Sequence, residues 1–262
     1  MRFLTGVALL GLLVPASAIA QDDPPADSGG VTIAEVPFGI GERMDYRVKF
    51  GPLKVGQAHM EVEGLDTIAG NATYHLRFHM SGSVPFYKLD DTQQSWLDVA
   101  LLATRRYHQD SHQGSYERYR EYEFDLEQGV RTGLEGETDS IPEMALDEAA
   151  FIYFVRSIEL EVGETYEWNR YYRYDRNPVV LQVLRRERVR VPAGEFETIV
   201  VRPIIKTGGI FAEGGEAEVY ITDDDLRVPV RLNSKMKVGS VTLELTEYRE
   251  GQKLTPEMIG SR

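Results

Sequence analysis

Asp223, Asp224 and Asp225 stand side by side in "EGGEAEVYITDDDLRVPVRLN". Three adjacent carboxylates can hold a divalent cation, work as an acid and its base, or simply turn the chain. A calcium loop spaces its oxygen ligands at alternating positions, with a glycine for the sharp turn and a later bidentate glutamate. Nothing after Asp225 keeps that spacing, so turn chemistry is expected here. "HLRFH" and "HQDSH" place His75 with His79 and His108 with His112 four residues apart. On a helix each pair could share a zinc ion, but on a strand the two rings stand roughly 13 Å apart at ~3.3 Å per residue. A register that pairs Val62 with Tyr74 would set Glu61 opposite His75 and His59 opposite Arg77. That gives a polar patch of His59, Glu61, His75, Arg77 and His79, read as solvated surface in preference to a metal site. No G-x-S-x-G elbow, H-E-x-x-H pair, phosphate loop or dinucleotide fingerprint is present, and no cofactor is implied. The chain has no cysteine, which removes thiol nucleophiles and disulfides. A glycosidase-like carboxylate pair drawn from residues such as Glu61 or Asp91 stays open, because such pairs are set by the fold.

The elements that would position these groups are mostly strands. Period-two alternation puts Met44, Tyr46, Val48 and Phe50 on one face, then Ala58, Met60 and Val62, then Tyr74, Leu76, Phe78 and Met80. A change of parity near Gly56 predicts a β-bulge. Further strands are expected around 91–98, 103–111, 116–125, 165–174, 179–191 and 196–205. The stretch 147–158 differs: Asp147 can cap a helix, and Phe151, Phe154, Val155 and Ile158 follow helical spacing. Its apolar run "AAFIYFV" predicts burial against a sheet. Near the C-terminus, Ile221 opposite Val228 sets Val219 against Val230 and Ala217 against Leu232. That register leaves residues 223–226 as a four-residue loop and predicts a meander through a two-residue Gly239-Ser240 turn. "YERYREYEF" and "RYYRYDR" read as exposed sheet, with a stacking platform for a ligand as the alternative.

Compartment and partners follow from the ends and the charge. Arg2, an apolar stretch and Ala18-Ile19-Ala20 predict a secretory signal cleaved after Ala20, hence a periplasmic protein without a transmembrane anchor. The expected organisation is signal 1–20, disordered 21–36, one β domain 37–250 and a tail 251–262. A net charge of −13 argues against nucleic acid as a partner.

The order "MDYRVKFGPLKVGQAHMEV", "DDTQQSWLD", "FVRSIELEVGETY", "VRVPAGEFETIVVRP" and "ITDDDLRVPVRLNSKMKVGSVTLELTEY" resembles the exported bacterial family catalogued as domain of unknown function three-one-zero-eight. More distantly it is similar to the periplasmic lipoprotein carriers of the LolA and LolB type. These resemblances imply a mainly β fold, a strongly curled antiparallel sheet or incomplete barrel, with the apolar helix on its concave face. They also imply a non-catalytic binding or carrier role for a hydrophobic or amphiphilic envelope molecule such as a lipid. Tyr46, Val48, Met60, Leu76, Phe78, Phe151, Phe154 and Val230 are the expected lining. An envelope protein docking on a sheet face or edge, and a hydrolase of envelope polymers, are the alternatives. Asp224→Ala is expected to leave function intact, whereas Val230→Asp, which buries an unpaired charge, should collapse the fold. Circular dichroism and thermal melts on the two variants check this contrast.

Overall fold

The structure is a computed structural model that describes residues 32–84, 87–205, 216–235 and 239–260. The expected signal segment, together with Met236 and Val238 of the meander, falls outside the described residues. The first eight strands are β1 (Arg43–Phe50), β2 (Leu53–Ile68), β3 (Asn71–Val84), β4 (Tyr87–Asp98), β5 (Thr104–Gln113), β6 (Tyr116–Asp125), β7 (Val130–Gly133) and β8 (Thr138–Ser140). Helix α1 (Glu148–Arg156) follows, then β9 (Thr165–Trp168), β10 (Val179–Val191), β11 (Gly194–Ile204), β12 (Glu216–Thr222), β13 (Pro229–Lys235), β14 (Ser240–Arg249) and α2 (Pro256–Gly260). All fourteen strands belong to one sheet ordered β8-β7-β6-β5-β4-β3-β2-β1-β14-β13-β12-β11-β10-β9, and every pairing is antiparallel. The edge strands β8 and β9 do not pair, so the sheet is an unclosed barrel, as expected.

Side-chain parity divides the sheet into an inner face, which carries the core and α1, and an outer polar face. The two ends of the sheet meet through irregular chain. Leu146 N donates to Arg170 O and Tyr172 N to Leu146 O, while the Tyr172 ring lies 6.2 Å from Tyr107 of β5 and 5.8 Å from Tyr122 of β6. The segment expected as a strand to residue 174 is a strand only to Trp168, and residues 170–174 serve instead as this seam. The ordered domain also exceeds 37–250 at both ends. Ala34 N donates to Val99 O, Val36 is buried, and Ile40 and Gln252 exchange backbone bonds.

Several registers differ from the expected ones, and each difference has a local cause. The bulge near Gly56 is present, with the register shifting between Val48 and Lys49. A second irregularity, between Val62 and Gly64, pairs Val62 with Leu76 instead of Tyr74. In the meander, Pro229 lacks an N–H and the register slips between Tyr220 and Ile221. Ile221 therefore faces Pro229, Val219 faces Leu232 and Ala217 faces Ser234. Thr222 N donates to Val228 O, which leaves residues 223–227 as the loop. Lys235 pairs with Ser240, the first residue of β14, so Ser240 belongs to a strand and not to a two-residue Gly239-Ser240 turn.

The triple aspartate is a structural turn. Asp224 Oδ1 accepts from Leu226 N at 3.0 Å, Arg227 N at 3.1 Å and Thr222 Oγ1 at 2.6 Å. These bonds hold Arg227 at a left-handed φ of 49°. The carbonyls of that loop then receive the largest fully buried side chain of the described residues, Arg156, at the last position of α1. Its Nε donates to Arg227 O at 2.9 Å and its Nη2 to Leu226 O at 3.0 Å. The guanidinium also grips Glu42 bidentately, at 2.7 and 2.8 Å, with both side chains at 0% exposure. At the other end of α1, Asp147 caps as expected, accepting from Ala149 N, Ala150 N, Ser95 Oγ and Thr104 Oγ1. Burial nonetheless pushes its carboxyl from 3.8 up to about 6, against the downward pull of these bonds.

Two stability predictions follow from the ends of α1. Arg156→Met leaves the Glu42 carboxylate buried and without a cation, at a cost of about 3–5 kcal/mol. The double variant Glu42→Leu/Arg156→Met should recover a large part of that in urea denaturation. The Asp147 carboxyl holds its proton more tightly folded than unfolded, so its contribution is complete below about pH 4 and fades as pH rises through about 6. The loss is on the order of 3 kcal/mol. Asp147→Asn, which cannot ionise, should flatten that stretch of the stability-versus-pH curve.

Candidate functional site: a two-sided groove on the inner face

Cross-strand pairing writes the inner face of β2 to β6 as four rows. The outermost is Gly56, Gly82, Leu89, Gln113 and Tyr116; the second is Ala58, Met80, Asp91, Ser111 and Arg118. The third is Met60, Phe78, Gln93, Gln109 and Arg120, and the innermost is Val62, Leu76, Ser95, Tyr107 and Tyr122. Helix α1 packs on β3 and β4, where Ser95 Oγ reaches Asp147 at 2.5 Å, and so it seals the innermost row. The outer three rows are less evenly covered, and Ala58, Met60, Asp91 and Ser111 are buried there. Phe78, Met80, Gln93, Gln109 and Gln113 are half-buried, and Tyr116 and Arg118 are exposed.

Gly56 and Gly82 shape the floor of the outer row. A Cβ on Gly56 would stand 2.1 Å from Ser81 O and 2.7 Å from Gly82 Cα, so the bulged β2 approaches β3 too closely for any side chain there. Beside this kink lies an open surface depression of about 470 Å³, bordered by Val55, Leu89, Lys54 and Lys88. Neither lysine forms an ion pair among the described residues.

Each of the two middle rows changes character across the sheet. On β2 and β3 it is apolar, with Ala58, Met60, Phe78 and Met80. On β4 to β6 it is polar, and its centre is Asp91, only 4% exposed. The Asp91 carboxylate forms no ion pair among the described residues. It receives Gln93 Nε2 at 3.2 Å, and Gln109 Nε2 and Gln113 Nε2 each at 3.4 Å. Gln93 Oε1 in turn accepts from the Tyr107 hydroxyl at 3.3 Å, and Arg120 Nη1 donates to the Tyr172 hydroxyl at 3.3 Å. Such a wall can bind and orient a polar group beside an apolar surface.

Of the expected lining, Tyr46, Val48, Met60, Leu76, Phe151, Phe154 and Val230 are buried in the core, and Phe78 is half-buried in the groove. The Tyr46 hydroxyl is tied to Pro229 O at 2.8 Å. Met80 sits on the face that alternation already gives to Leu76 and Phe78, but the glutamines lie outside an apolar-only lining. Their signal was the alternation Asp91, Gln93, Ser95 in "DDTQQSW", and Tyr116, Arg118, Arg120, Tyr122 in "YERYREYEF", which sets one polar face inward.

The histidines gather on the outer face. His59 faces His79, not Arg77, with ring centroids 5.3 Å apart, and Glu61 faces Arg77, not His75. His75 stacks on Trp96 at 4.5 Å and contacts Gln94 Oε1 at 2.9 Å, while Gln94 reaches His108 Nδ1 at 3.1 Å. Burial, helped by the Arg43 charge, lowers the His59 pKa. Among the described residues no three His, Asp or Glu side chains converge as metal ligands. Glu61, bound by Arg43 at 2.7 Å, and Asp91 sit on opposite faces of the sheet. They cannot act on one substrate as a carboxylate pair.

Residues 45–246 match the profile of a family described as "Protein of unknown function (DUF3108)". No match is found among curated proteins. A solved structure of similar fold is a beta-barrel-like protein of domain of unknown function DUF1849 from Brucella abortus. It is 9% identical, with a TM-score of 0.52, over 83% of this chain and 100% of that one. An exported protein, so proposed, with a YmcC-like fold from Bacteroides fragilis aligns over 83% of this chain and 100% of its own, at 11% identity and a TM-score of 0.31. A proposed lipoprotein from Parabacteroides distasonis aligns over 82% and 99%, at 10% identity and a TM-score of 0.33. None of the three is described as a carrier of the LolA or LolB type. No helix among the described residues is long and apolar enough to cross a membrane.

The groove predicts that Phe78→Ala and Met80→Ala cost less stability than truncation of a sealed neighbour. Half-buried side chains should lose about 1–2 kcal/mol, whereas Leu76→Ala at 0% exposure should lose about 2–5 kcal/mol. Urea midpoints of the three variants check the order.

Proposed function

The chain belongs to the DUF3108 family, and from that premise and the groove we propose that it is a non-catalytic periplasmic carrier of an amphiphilic envelope molecule. One observation carries the reading. Half-buried Phe78 lies in the same cross-strand row as Gln93, Gln109 and Arg120, and half-buried Met80 in the row of Asp91 and Arg118, so one molecule with an apolar and a polar part could contact both walls. The apolar part would lie along β2 and β3 and the polar part along β4 to β6. A signal segment cleaved after Ala20 would deliver the protein to the periplasm, where such molecules cross an aqueous space and need their chains covered. Docking of an envelope protein by strand addition is the weaker reading. The free edges β8 and β9 are three and four residues long and offer few ladder bonds.

Organic extraction of the protein purified from its own periplasm, followed by mass spectrometry, tests the carrier. A reproducible amphiphile at near-stoichiometric amount is expected, and Phe78→Arg should reduce it at least tenfold while the variant still melts cooperatively. A clean extract from wild-type protein, with no amphiphile binding on add-back, overturns the reading.

A further inference from the structure

Resting on the carrier reading, we propose that the polar wall recognises a neutral, hydroxyl-rich head group, a sugar or other polyol, with Asp91 as the acceptor that orients it. The Asp91 carboxylate is 4% exposed, yet its bonds are all long for a buried acceptor, at 3.2, 3.4 and 3.4 Å. Amide donors ordinarily approach to about 2.9 Å, and an O–H donor approaches a carboxylate to about 2.5–2.7 Å. A desolvated carboxylate held only by three loose amides is costly in the free protein and gains most from strong donors.

The surroundings select which donors. An anionic head would meet the buried carboxylate in the middle of the wall. A cationic head would meet Arg118 in the same row and Arg120 in the next, neither of which forms an ion pair among the described residues. A metal-bound head lacks ligands, because Asp91 is the only carboxylate in the four rows and they contain no histidine. Hydroxyl groups suit every partner, since each both donates and accepts. One hydroxyl donates to Asp91 and displaces the amides of Gln109 and Gln113. Those amides and the Arg120 guanidinium then donate to neighbouring hydroxyl oxygens of the same ring. The exposed Tyr116 ring at the end of the outer row carries the Arg118 guanidinium 5.0 Å from its centroid and leaves its other face for the C–H side of a sugar.

Isothermal titration with three amphiphiles of one chain length, each below its micelle concentration, tests this: octyl glucoside, octyl sulfate and octyltrimethylammonium. The expected result is that octyl glucoside binds at least tenfold more tightly than the other two. Asp91→Ala should weaken only the glucoside, by tenfold or more. Gln109→Ala, at a half-buried position that leaves the core intact, should weaken it by severalfold, which keeps the test decisive if Asp91→Ala fails to fold. Equal binding of all three amphiphiles, or glucoside binding insensitive to both variants, overturns the sugar head and leaves the carrier standing. Preference for the sulfate or the ammonium overturns it in favour of an ionic head. Binding of none of the three overturns both readings.

Discussion

The buried ion pair between Arg156 and Glu42 is the contact around which the rest of the barrel is arranged. Desolvating two charges costs several kcal/mol per ion and is repaid only by good geometry and complete hydrogen bonding. Here the guanidinium forms a bidentate pair and also donates to the carbonyls of Leu226 and Arg227, and Glu42 receives the Tyr248 hydroxyl at 3.1 Å. Four distant pieces of chain therefore meet at one point: the end of α1, the entry to β1, the turn between β12 and β13, and β14. The aspartates of that turn take part indirectly. Asp224 fixes the loop so that its carbonyls point at Arg156.

The opposite end of α1 is pinned by Asp147, whose two oxygens cap the helix and accept hydroxyls from β4 and β5. With both ends tied, the helix plugs one part of the inner face and leaves the β2 to β6 rows nearest the Gly56–Gly82 kink partly open. That division separates core from groove. Tyr46, Leu76, Phe151 and Val230 are committed to packing, whereas Phe78 and Met80 keep accessible surface. The same parity that turns Asp91 and the glutamines inward turns all five histidines of the chain outward, where they are absorbed into contacts with Glu61, Glu63, Trp96, Gln94 and Asp110.

Local periodicity alone made the strands legible, because side chains in a half-buried sheet must alternate whatever lies beyond it. The helix and its cap were legible for the same kind of reason: Asp147 precedes a run whose apolar spacing suits no strand. The bulge at Gly56 could be read from a parity change within one strand. The bulges after Val62 and Tyr220 could not, since they depend on which residue of a separate strand lies opposite. Each slip moved the cross-strand partners, and the outer patch of His59, Glu61, His75 and His79 was rebuilt with different neighbours.

The sequence by itself determined the alternation of faces, the apolar helix, the turn chemistry of the aspartates and the acidic, cysteine-free character of the chain. Each of these follows from interactions within a few residues or from composition. Only the tertiary structure decided that Arg156 is buried against Glu42, 114 positions away, and that Asp91 is enclosed by Gln93, Gln109 and Gln113. A charged residue near a helix end and a polar residue on a strand look the same in sequence whether solvent or protein covers them. What covers them is settled by pairings between segments far apart in the chain, and no local pattern records those pairings.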